Sequence, residues 1–595
     1  KKWNKRLVVG LSILVSILMV FTACASGKVE QSEVVITILE TSDIHGTIAP
    51  WDYATDSAFD GGLAKAATII KQQRAIDPEL LLIDCGDSVQ DNMIQEFRKK
   101  KPHPMIKAMN SLGYVAWTLG NHEFNFEFEN LQKSIKESKA TVLAANIYKE
   151  NGKRFVAPYV IKKVKGVRVA IIGITAPHVT RWEASDPSHY DNMIFTTPEE
   201  ELGKVLEEIE GKADLVVCLC HYGEDGEYET AGMREVAKKY GDSVSAFFIG
   251  HAHSTLNEKQ DNGTVILEPG SKCANVAKAS FSMKYENGKW ILVQTNSELI
   301  PVTKANVEAD PEMMALIADL DTNSKALANT VVGTVGADFL PSLWWNGLEG
   351  IPTAIIQDTA MIDLINIVQM EETGADVSLA ALFDSYSNLP KGDFRKRDGV
   401  KIYKYDNTLM AVKITGAQLK KIMEVRAGDF YNSSKPGDVT ISVNEKIRLY
   451  NYDMFSGVDY DINISKPQGS RIENVMYKGK PLADDQVLVL AMNNYRYGGL
   501  SGAGLISKDP ADLVYNSGLA IRDLISDYVV KAGVLMPTCD NNWKITGFSC
   551  DPVEAEKVYA LVREGKITIP TSADGRTPNV AALNLNTLRA QGLIK

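Results

Sequence analysis

The sequence predicts an α/β fold divided into two large domains, and three observations support this prediction. The chain has 595 residues, which is more than one compact core usually holds, since domains commonly contain about 100–200 residues. Its first half alternates β-branched, strand-like runs with segments of helical periodicity, as expected for parallel strands joined by helices. Polar residues follow several of these runs directly, at the place where open α/β sheets bind ligands.

The N-terminus has the pattern of an export signal. A positive start, Lys1 to Arg6, precedes an apolar run from Leu7 to Phe21, which is typical of a signal peptide rather than of a spanning helix. Small residues directly before Cys24 resemble a bacterial lipoprotein signal. We therefore expect a signal peptide at 1–23, a lipidated Cys24 and a tether at 24–33, which would hold an exported protein at the outer face of a membrane. An uncleaved anchor and an ordinary signal peptide are the alternatives.

Composition narrows the function classes. The net charge of −11 argues against a general nucleic-acid-binding surface, which would be basic, so we expect no polymeric nucleic acid as a partner. A small anionic substrate remains compatible, because bound cations can invert the local field. Cys85, Cys218 and Cys220 lie in strand-like apolar runs and are expected to be buried thiols, whereas pairing of Cys539 with Cys550 stays open.

Potential metal ligands follow five strand-like runs of the first half. Five of the eight histidines lie in these turns, although solvated or core histidines should scatter along the chain. The carboxyl ends of parallel strands meet at one edge of a sheet, so we expect these side chains to lie close together. In chain order the runs and their polar residues are Val34–Leu39 with Asp43 and His45, Glu79–Ile83 with Asp87, Tyr114–Leu119 with Asn121 and His122, Ala213–Cys220 with His221, and Ala246–Ile249 with His251 and His253.

Helical patterns separate or follow these runs. Gly62–Ala75 and Pro104–Leu112 are predicted connecting helices of the first domain. Ala305–Leu327 is acidic and helical in pattern, which indicates a linker between domains. Beyond it, Val331–Gly336 is strand-like and opens a new domain, in which Thr353–Met370 is predicted to form an amphipathic helix.

The ligand types indicate an open catalytic centre. Carboxylate, imidazole and amide oxygen, with no thiolate at the strand ends, suit Mn, Zn, Fe or Co. These residues are too many for one ion, and two ions roughly 3.5–4 Å apart are typical of phosphatases and nucleases. In such a site a bridging hydroxide attacks phosphorus in line, and an imidazole just outside the ligand set can protonate the leaving oxygen.

The motifs resemble those of a known family in kind and in order. Asp43-x-His45, Gly86-Asp87, Gly120-Asn121-His122-Glu123, His221 and Gly250-His251-x-His253 resemble the calcineurin-like metallophosphatases, and about residues 34–548 are similar to the 5′-nucleotidase family within them. The resemblance implies a four-layer α/β/β/α metallophosphatase domain at 34–304, a helical linker at 305–330 and a separate α+β substrate-binding domain at 331–548. It assigns no role to residues 549–595.

The same resemblance implies a ligand set for two divalent ions. One ion would take Asp43, His45, Asp87 and His253, and the other would take Asp87, Asn121, His221 and His251, with Asp87 bridging. His122 matches the family's catalytic histidine rather than a ligand.

One position departs from the 5′-nucleotidase pattern. That group carries an Asp where this chain has Asn125, and an Asn cannot stabilise an imidazolium by charge. The Asn form resembles the 2′,3′-cyclic-nucleotide 2′-phosphodiesterase/3′-nucleotidases, as does the run from Asn493 to Gly499. In the family two aromatic rings clamp the base, and motif matching gives Tyr450 and Tyr497, with Asn493 as a further substrate-binding residue. Plain core packing is the alternative for each tyrosine.

The sequence therefore predicts an exported phosphoesterase that uses two metals. Its expected substrates are 2′,3′-cyclic nucleotides and 3′-nucleotides. Other enzymes of the same chemistry, namely a 5′-nucleotidase, a nucleotide-sugar hydrolase or a cyclic-dinucleotide phosphodiesterase, are the first alternative. A surface lipoprotein that binds nucleotides or mediates adhesion without catalysis is the second. The sequence gives no indication of the oligomeric state.

Overall fold

The computed structural model describes residues 33–183, 187–227, 230–303, 306–405 and 407–594. The predicted signal peptide, the lipidation site at Cys24 and the tether before Glu33 lie outside these residues. Within the described part of the chain, no helix combines the length and apolarity that crossing a membrane requires.

Two six-stranded sheets form the first half of the molecule. Four parallel strands make up most of each sheet, and antiparallel strands complete the edges. In spatial order the first sheet contains Lys289–Pro301, Asn275–Glu286, Glu33–Thr41, Leu81–Asp84, Ala116–Thr118 and Thr141–Leu143, and the second contains Thr255–Lys259, Val265–Pro269, Ala246–Ile249, Leu215–His221, Val167–Thr175 and Tyr159–Val164.

The two sheets stack face to face. Buried side chains of both sheets, such as Ile36, Phe281, Val169 and Phe248, form one apolar layer between them. Helices cover the outer faces, with Leu63–Ile76 against the first sheet and Pro198–Glu208 and Met233–Tyr240 against the second. This arrangement confirms the predicted four-layer α/β/β/α domain. The other elements of this half are the helices Pro104–Leu112, Phe128–Glu137 and Val179–Trp182 and the short strands Trp51–Asp52, Ser57–Ala58, Ile147–Tyr148 and Ile194–Phe195.

Local sequence explains why these elements were predictable. All five strand-like runs that precede the polar turns are strands, and the helix predicted at Pro104–Leu112 has those bounds. Pro104 occupies a first-turn position, where a missing N–H leaves no bond unmade. Gly113 ends the helix at φ 72°, a left-handed conformation that glycine adopts without a steric penalty. The cysteines of the strands are buried free thiols, as predicted.

The linker is helical and docks on the first domain. Its described helices are Pro311–Leu316 and Ala318–Ala328. Asp310 caps the first of them and also pairs with Lys71 at 2.7 Å. The hydroxyl of Tyr53 donates to Asp321 Oδ1 at 2.8 Å. These contacts fix the linker against the metallophosphatase-like half.

The second half is an α+β domain built on a five-stranded sheet. The sheet order is Met454–Ser456, Val377–Ala380, Val487–Asn493, Thr408–Thr415 and Leu513–Ala520. Two smaller sheets contain Gly392–Arg395, Val331–Val335 and Val534–Leu535, and Lys480–Pro481, Ile472–Tyr477, Asp459–Asn463 and Trp543–Thr546. The helices are Ala360–Thr373, Lys396–Ile402, Gly416–Arg426, Asn494–Gly502, Ile521–Ala532, Pro552–Arg563 and Leu585–Ala590.

The helix expected at Thr353–Met370 is shorter at its start. A single 3₁₀ turn occupies Thr353–Ile355, and the α-helix begins only at Ala360. Thr359 has extended backbone angles, φ −145° and ψ 150°, so the apolar pattern before it belongs to a separate turn.

The C-terminal extension, for which the sequence offered no role, is part of the second core. Ala555, Val558, Tyr559 and Leu588 are buried in the same apolar cluster as the main sheet. Asn579 anchors a later loop, because its side chain donates to the carbonyl of Ile441 at 2.7 Å. The extension therefore packs on the second domain.

Candidate metal centre and substrate cleft

The first group of candidate ligands lies where the strand Glu33–Thr41 ends. His45 Nε2 lies 3.0 Å from His253 Nε2, which in turn lies 3.3 Å from Asp43 Oδ1. Burial and the neighbouring His253 lower the pKa of His45 to about 3, so its imidazole is neutral at pH 7. Two facing ring nitrogens and a buried carboxylate oxygen suit a cation that all three atoms can coordinate.

The second group joins Asp87, Asn121, His221 and His251. His221 Nε2 lies 3.0 Å from Asp87 Oδ2, and Asn121 Oδ1 lies 3.1 Å from His221 Nε2 and 2.8 Å from His251 Nδ1. The other nitrogen of His221 faces the carbonyl of Cys85 at 2.6 Å, which orients the ring as outer hydrogen bonds do for metal-binding histidines.

The second group requires positive charge. Although burial opposes protonation, Asp87 and Asp43 raise the pKa of the His221 imidazole to about 10. Its Nε2 therefore faces oxygen atoms that a proton or a cation must satisfy. The donor set of carboxylate, imidazole and amide oxygen fits a divalent metal ion at this position.

All seven predicted ligands thus meet in two adjoining groups. The backbone N–H of His251 donates to the carboxylate of Asp43 at 3.1 Å and so links the groups. Most of the ligands have a positive φ, which non-glycine residues rarely adopt and which is concentrated at functional sites. The residues in this conformation are Asp43, His45, Asp87, His251 and His253.

Glu123 holds the loops of the second group together, a role that the sequence did not reveal. Its Oε2 accepts the backbone N–H of Asp87 at 2.9 Å and of Gly120 at 2.7 Å, and Oε1 accepts that of Ser88 at 2.8 Å. A Cβ on Gly120 would lie 2.2 Å from Asp87 Oδ1. The Gly in this motif therefore allows Asn121 and Asp87 to approach each other.

His122 lies beside the two groups and belongs to neither. Its Nε2 is 3.8 Å from Asp87 Oδ2, and its Nδ1 donates to Asn125 Oδ1 at 2.5 Å, since an amide oxygen can only accept. Asn125 Nδ2 donates in turn to Glu183 Oε1 at 2.8 Å. Glu183 is buried, with 5% of its surface exposed, and its Oε2 lies 2.9 Å from His189 Nδ1. No sequence motif pointed to Glu183.

A cleft of about 810 Å³ lies between the two halves of the molecule and contains these groups. Phe383, Tyr405 and Tyr450 line it from the second domain. The rings of Phe383 and Tyr405 meet edge to face, with centroids 5.1 Å apart. Tyr450 is 39% exposed and thus presents an aromatic surface to the cleft, and its predicted role as a base clamp stays a prediction.

The other two predicted substrate residues differ in position. Tyr497 does not line the cleft, because it lies in the helix Asn494–Gly502 and packs, partly buried, against the apolar core of the second domain, which was the alternative for it. Tyr405 and Phe383, which were missed, are the aromatic neighbours of Tyr450 along the cleft. Asn493 does line the cleft, but its side chain caps the helix by accepting the N–H of Arg496 at 2.7 Å.

Cations line the cleft although the chain is acidic. They are Arg98, Lys272, Lys404, Arg496, Arg522 and Arg576. Arg496 is paired with Asp453 at 2.7 Å. Arg576 comes from the C-terminal extension, where Asp574 Oδ1 accepts its backbone N–H at 3.0 Å. Seven Asp and Glu residues line the same cleft, so these cations do not by themselves give it a net positive charge, and bound divalent ions would have to supply it.

Fold and site together define a class of protein. A four-layer domain that brings carboxylates, imidazoles and an amide oxygen to one sheet edge, with one histidine held just outside, is a metallophosphoesterase. Residues 36–255 match the family model for the calcineurin-like phosphoesterase, and residues 348–507 match that for the 5′-nucleotidase C-terminal domain. The chain is a calcineurin-like metallophosphoesterase with a 5′-nucleotidase C-terminal domain, and is a hydrolase.

Similar proteins cover nearly the whole chain. The 2′,3′-cyclic-nucleotide 2′-phosphodiesterase/3′-nucleotidase of Haemophilus influenzae is 28% identical over 88% of this chain and 89% of its own length. The trifunctional nucleotide phosphoesterase protein YfkN of Bacillus subtilis is 27% identical over 87% of this chain, which spans only 39% of that protein. A Staphylococcus aureus protein, crystallised in complex with alpha-ketoglutarate, has the same fold as this chain. The TM-score is 0.75 and the identity 24%, over 86% of this chain and 100% of that chain.

Proposed function

We propose that this phosphoesterase hydrolyses 2′,3′-cyclic nucleotides at the 2′ bond and then removes the remaining 3′-phosphate. One observation carries the proposal: a single cleft is lined by both ligand groups and His122 from the first domain and by Tyr405 and Tyr450 from the second. This distribution suits a molecule with a phosphoester at one end and a base at the other. The uncharged Asn125 beside His122 and the name of the Haemophilus influenzae relative favour the cyclic substrate.

The residues present fit two divalent ions, which we assign to the seven ligands described above. Asp43, His45 and His253 would hold one, and Asn121, His221 and His251 the other, with Asp87 shared. Bound ions would neutralise the phosphoryl oxygens and make water a better nucleophile.

The protein's own contribution to the chemistry centres on His122. Held through Nδ1 by Asn125, its Nε2 is free to give a proton to the leaving 2′ oxygen and, in the second reaction, to the 3′ oxygen. An aromatic ring beside the base contributes roughly 1–3 kcal/mol and tolerates any base. Tyr450 would therefore position nucleotides without choosing among them.

A substrate panel tests the proposal. Purified protein with Mn²⁺ would be assayed on 2′,3′-cyclic AMP, 3′-AMP, 5′-AMP, a nucleotide sugar and a cyclic dinucleotide. We expect the first two to have the highest kcat/KM. Preference for 5′-AMP over both would refute the assignment and favour a 5′-nucleotidase, the activity that names the matched C-terminal domain. No turnover with any divalent metal would favour a nucleotide-binding or adhesion lipoprotein.

We also propose that the protein is exported and lipid-anchored through Cys24, where it would scavenge nucleotides outside the cytoplasm. The support is the charged and apolar sequence before Cys24. Metabolic labelling with a radioactive fatty acid should mark the wild-type protein and fail to mark Cys24→Ser. Equal labelling of both would contradict lipidation at this residue.

A further inference from the structure

A third group of potential ligands lies in the second domain, away from the cleft. One carboxylate oxygen each of Asp358 and Asp363 and the sulfur of Cys539 lie within 4.8 Å of one another. Asp358 and Asp363 flank the start of the helix Ala360–Thr373, and Cys539 lies in the segment before the strand Trp543–Thr546. None of the three lines the cleft.

Asp358 contains an unexplained buried atom. The residue is 7% exposed. Its Oδ1 accepts the backbone N–H of Thr359 at 2.9 Å, but its Oδ2 has no hydrogen-bond partner among the described residues. A buried carboxylate oxygen without a donor is costly, and such an atom commonly marks a bound ion or water.

The surroundings of Asp358 supply more negative charge instead of a counter-charge. Asp363 Oδ2 accepts the backbone N–H of Asp540 at 2.9 Å, and Asp363 Oδ1 lies 3.4 Å from the hydroxyl of Ser456. Among the described residues, no Lys or Arg forms an ion pair with Asp358 or Asp363. The carboxylate of Asp540 is a further negative group near Asp358. The group must therefore hold protons or a cation.

We propose that Asp358, Asp363 and Cys539 bind a divalent cation of the zinc class. A thiolate with two carboxylates is a borderline donor set that suits Zn²⁺ or Co²⁺ rather than Mg²⁺ or Ca²⁺. Binding releases the thiol proton to solvent and places the metal against the unpartnered Asp358 oxygen. The ion would tie the start of the helix to the 536–542 segment, as a structural clip.

The thiol provides a signature that the catalytic centre cannot produce. The cleft ligands are oxygen and nitrogen donors, so a thiolate-to-cobalt charge-transfer band in the near ultraviolet can report only a cysteine site. We expect Co²⁺ added to the metal-free full-length protein to give this band. It should vanish in Cys539→Ser and persist in Cys550→Ser, since Cys550 is outside the ligand group.

Metal counting and alkylation complete the test. After dialysis against Zn²⁺, wild type should hold one more ion per chain than Cys539→Ser or Asp358→Asn, with phosphatase activity unchanged. Zn²⁺ should also slow iodoacetamide labelling of Cys539 but not of Cys550 in the wild-type chain, a readout that needs no variant to fold. Absence of the band with equal metal content and unprotected labelling would overturn the proposal and mean that protons satisfy the carboxylates.

Discussion

Glu183→Gln is the most informative single change in the site. Glu183 does not touch the two ligand groups, yet its carboxylate accepts from Asn125, which in turn accepts from His122. Gln keeps the oxygen that Asn125 needs and removes only the charge. If the carboxylate of Glu183 fixes Asn125 in the orientation that His122 needs, the variant should keep its fold and KM and lose part of its kcat.

The expected magnitude follows from the geometry. Asn125 Nδ2 donates to the carboxylate of Glu183 at 2.8 Å, and a hydrogen bond to a charged group contributes roughly 1.5–3 kcal/mol, against about 0.5–1.5 kcal/mol for a neutral one. The variant therefore loses about 1 kcal/mol of support for the Asn125 side chain. Because Asn125 holds the ring of His122, kcat should fall by up to about fivefold.

The assay is steady-state kinetics with 3′-AMP or 2′,3′-cyclic AMP. Glu200→Gln is the matched control, because Glu200 is exposed and pairs with Lys204 on a surface helix, and its kcat and KM should equal those of wild type. Metal content should be unchanged in both variants. A Glu183→Gln kcat equal to that of wild type would show that Asn125 orients His122 without help from this carboxylate.

Three further tests separate the roles assigned in the cleft. His122→Ala should lower kcat by about 10²–10⁴ as the loss of a general acid and leave metal content intact by atomic absorption, since its ring is in neither ligand group; loss of metal in parallel would make it a ligand. Tyr450→Ala should weaken substrate binding by roughly 1–3 kcal/mol and so raise KM. Tyr497→Ala should instead lower the melting temperature and leave KM near wild type. The reverse result would restore the predicted clamp by Tyr497. Arg576→Ala should raise KM about tenfold at low salt, which corresponds to the loss of a charged hydrogen bond of ~1.5 kcal/mol. Arg589 lies on a surface helix and pairs with Glu554, so Arg589→Ala should leave KM unchanged. Equal effects of the two changes would mean that the extension acts only through packing.

Local pattern made the fold and the metal ligands predictable. A strand-like run followed by Gly, His or Asp identifies both the strand and its polar turn, because the ligand side chains belong to the few residues directly after the strand. Asn121 and His221 could therefore be singled out as candidate ligands from their positions, the resemblance assigned both to one ion, and the structure brings them within 3.1 Å. The clustering of histidines at strand ends was a global signal that random placement does not produce.

The aromatic end of the cleft and the support behind His122 could not be read the same way. Tyr405 and Arg576 reach the cleft from segments far apart in sequence, so their proximity is a result of tertiary packing. Tyr497 was misplaced for a local reason: motif matching does not give the phase of the helix that Asn493 caps. One residue of difference in helical phase moves a side chain by about 100°, enough to turn it from the cleft into the core.

Asn125 illustrates how a correct local observation can lead to an incomplete inference. Its lack of charge suggested that no carboxylate supports His122. In the structure the carboxylate of Glu183 accepts from Asn125 and so lies one hydrogen bond further from His122. Asn is suited to this position because its oxygen accepts from one neighbour while its NH₂ donates to the other. An Asp at residue 125 would lack the NH₂ that donates to Glu183 and would place two carboxylates 2.8 Å apart, where their like charges repel. We therefore expect Asn125→Asp to be tolerated only together with a neutral residue at position 183, such as Gln, which makes these two residues a single functional unit.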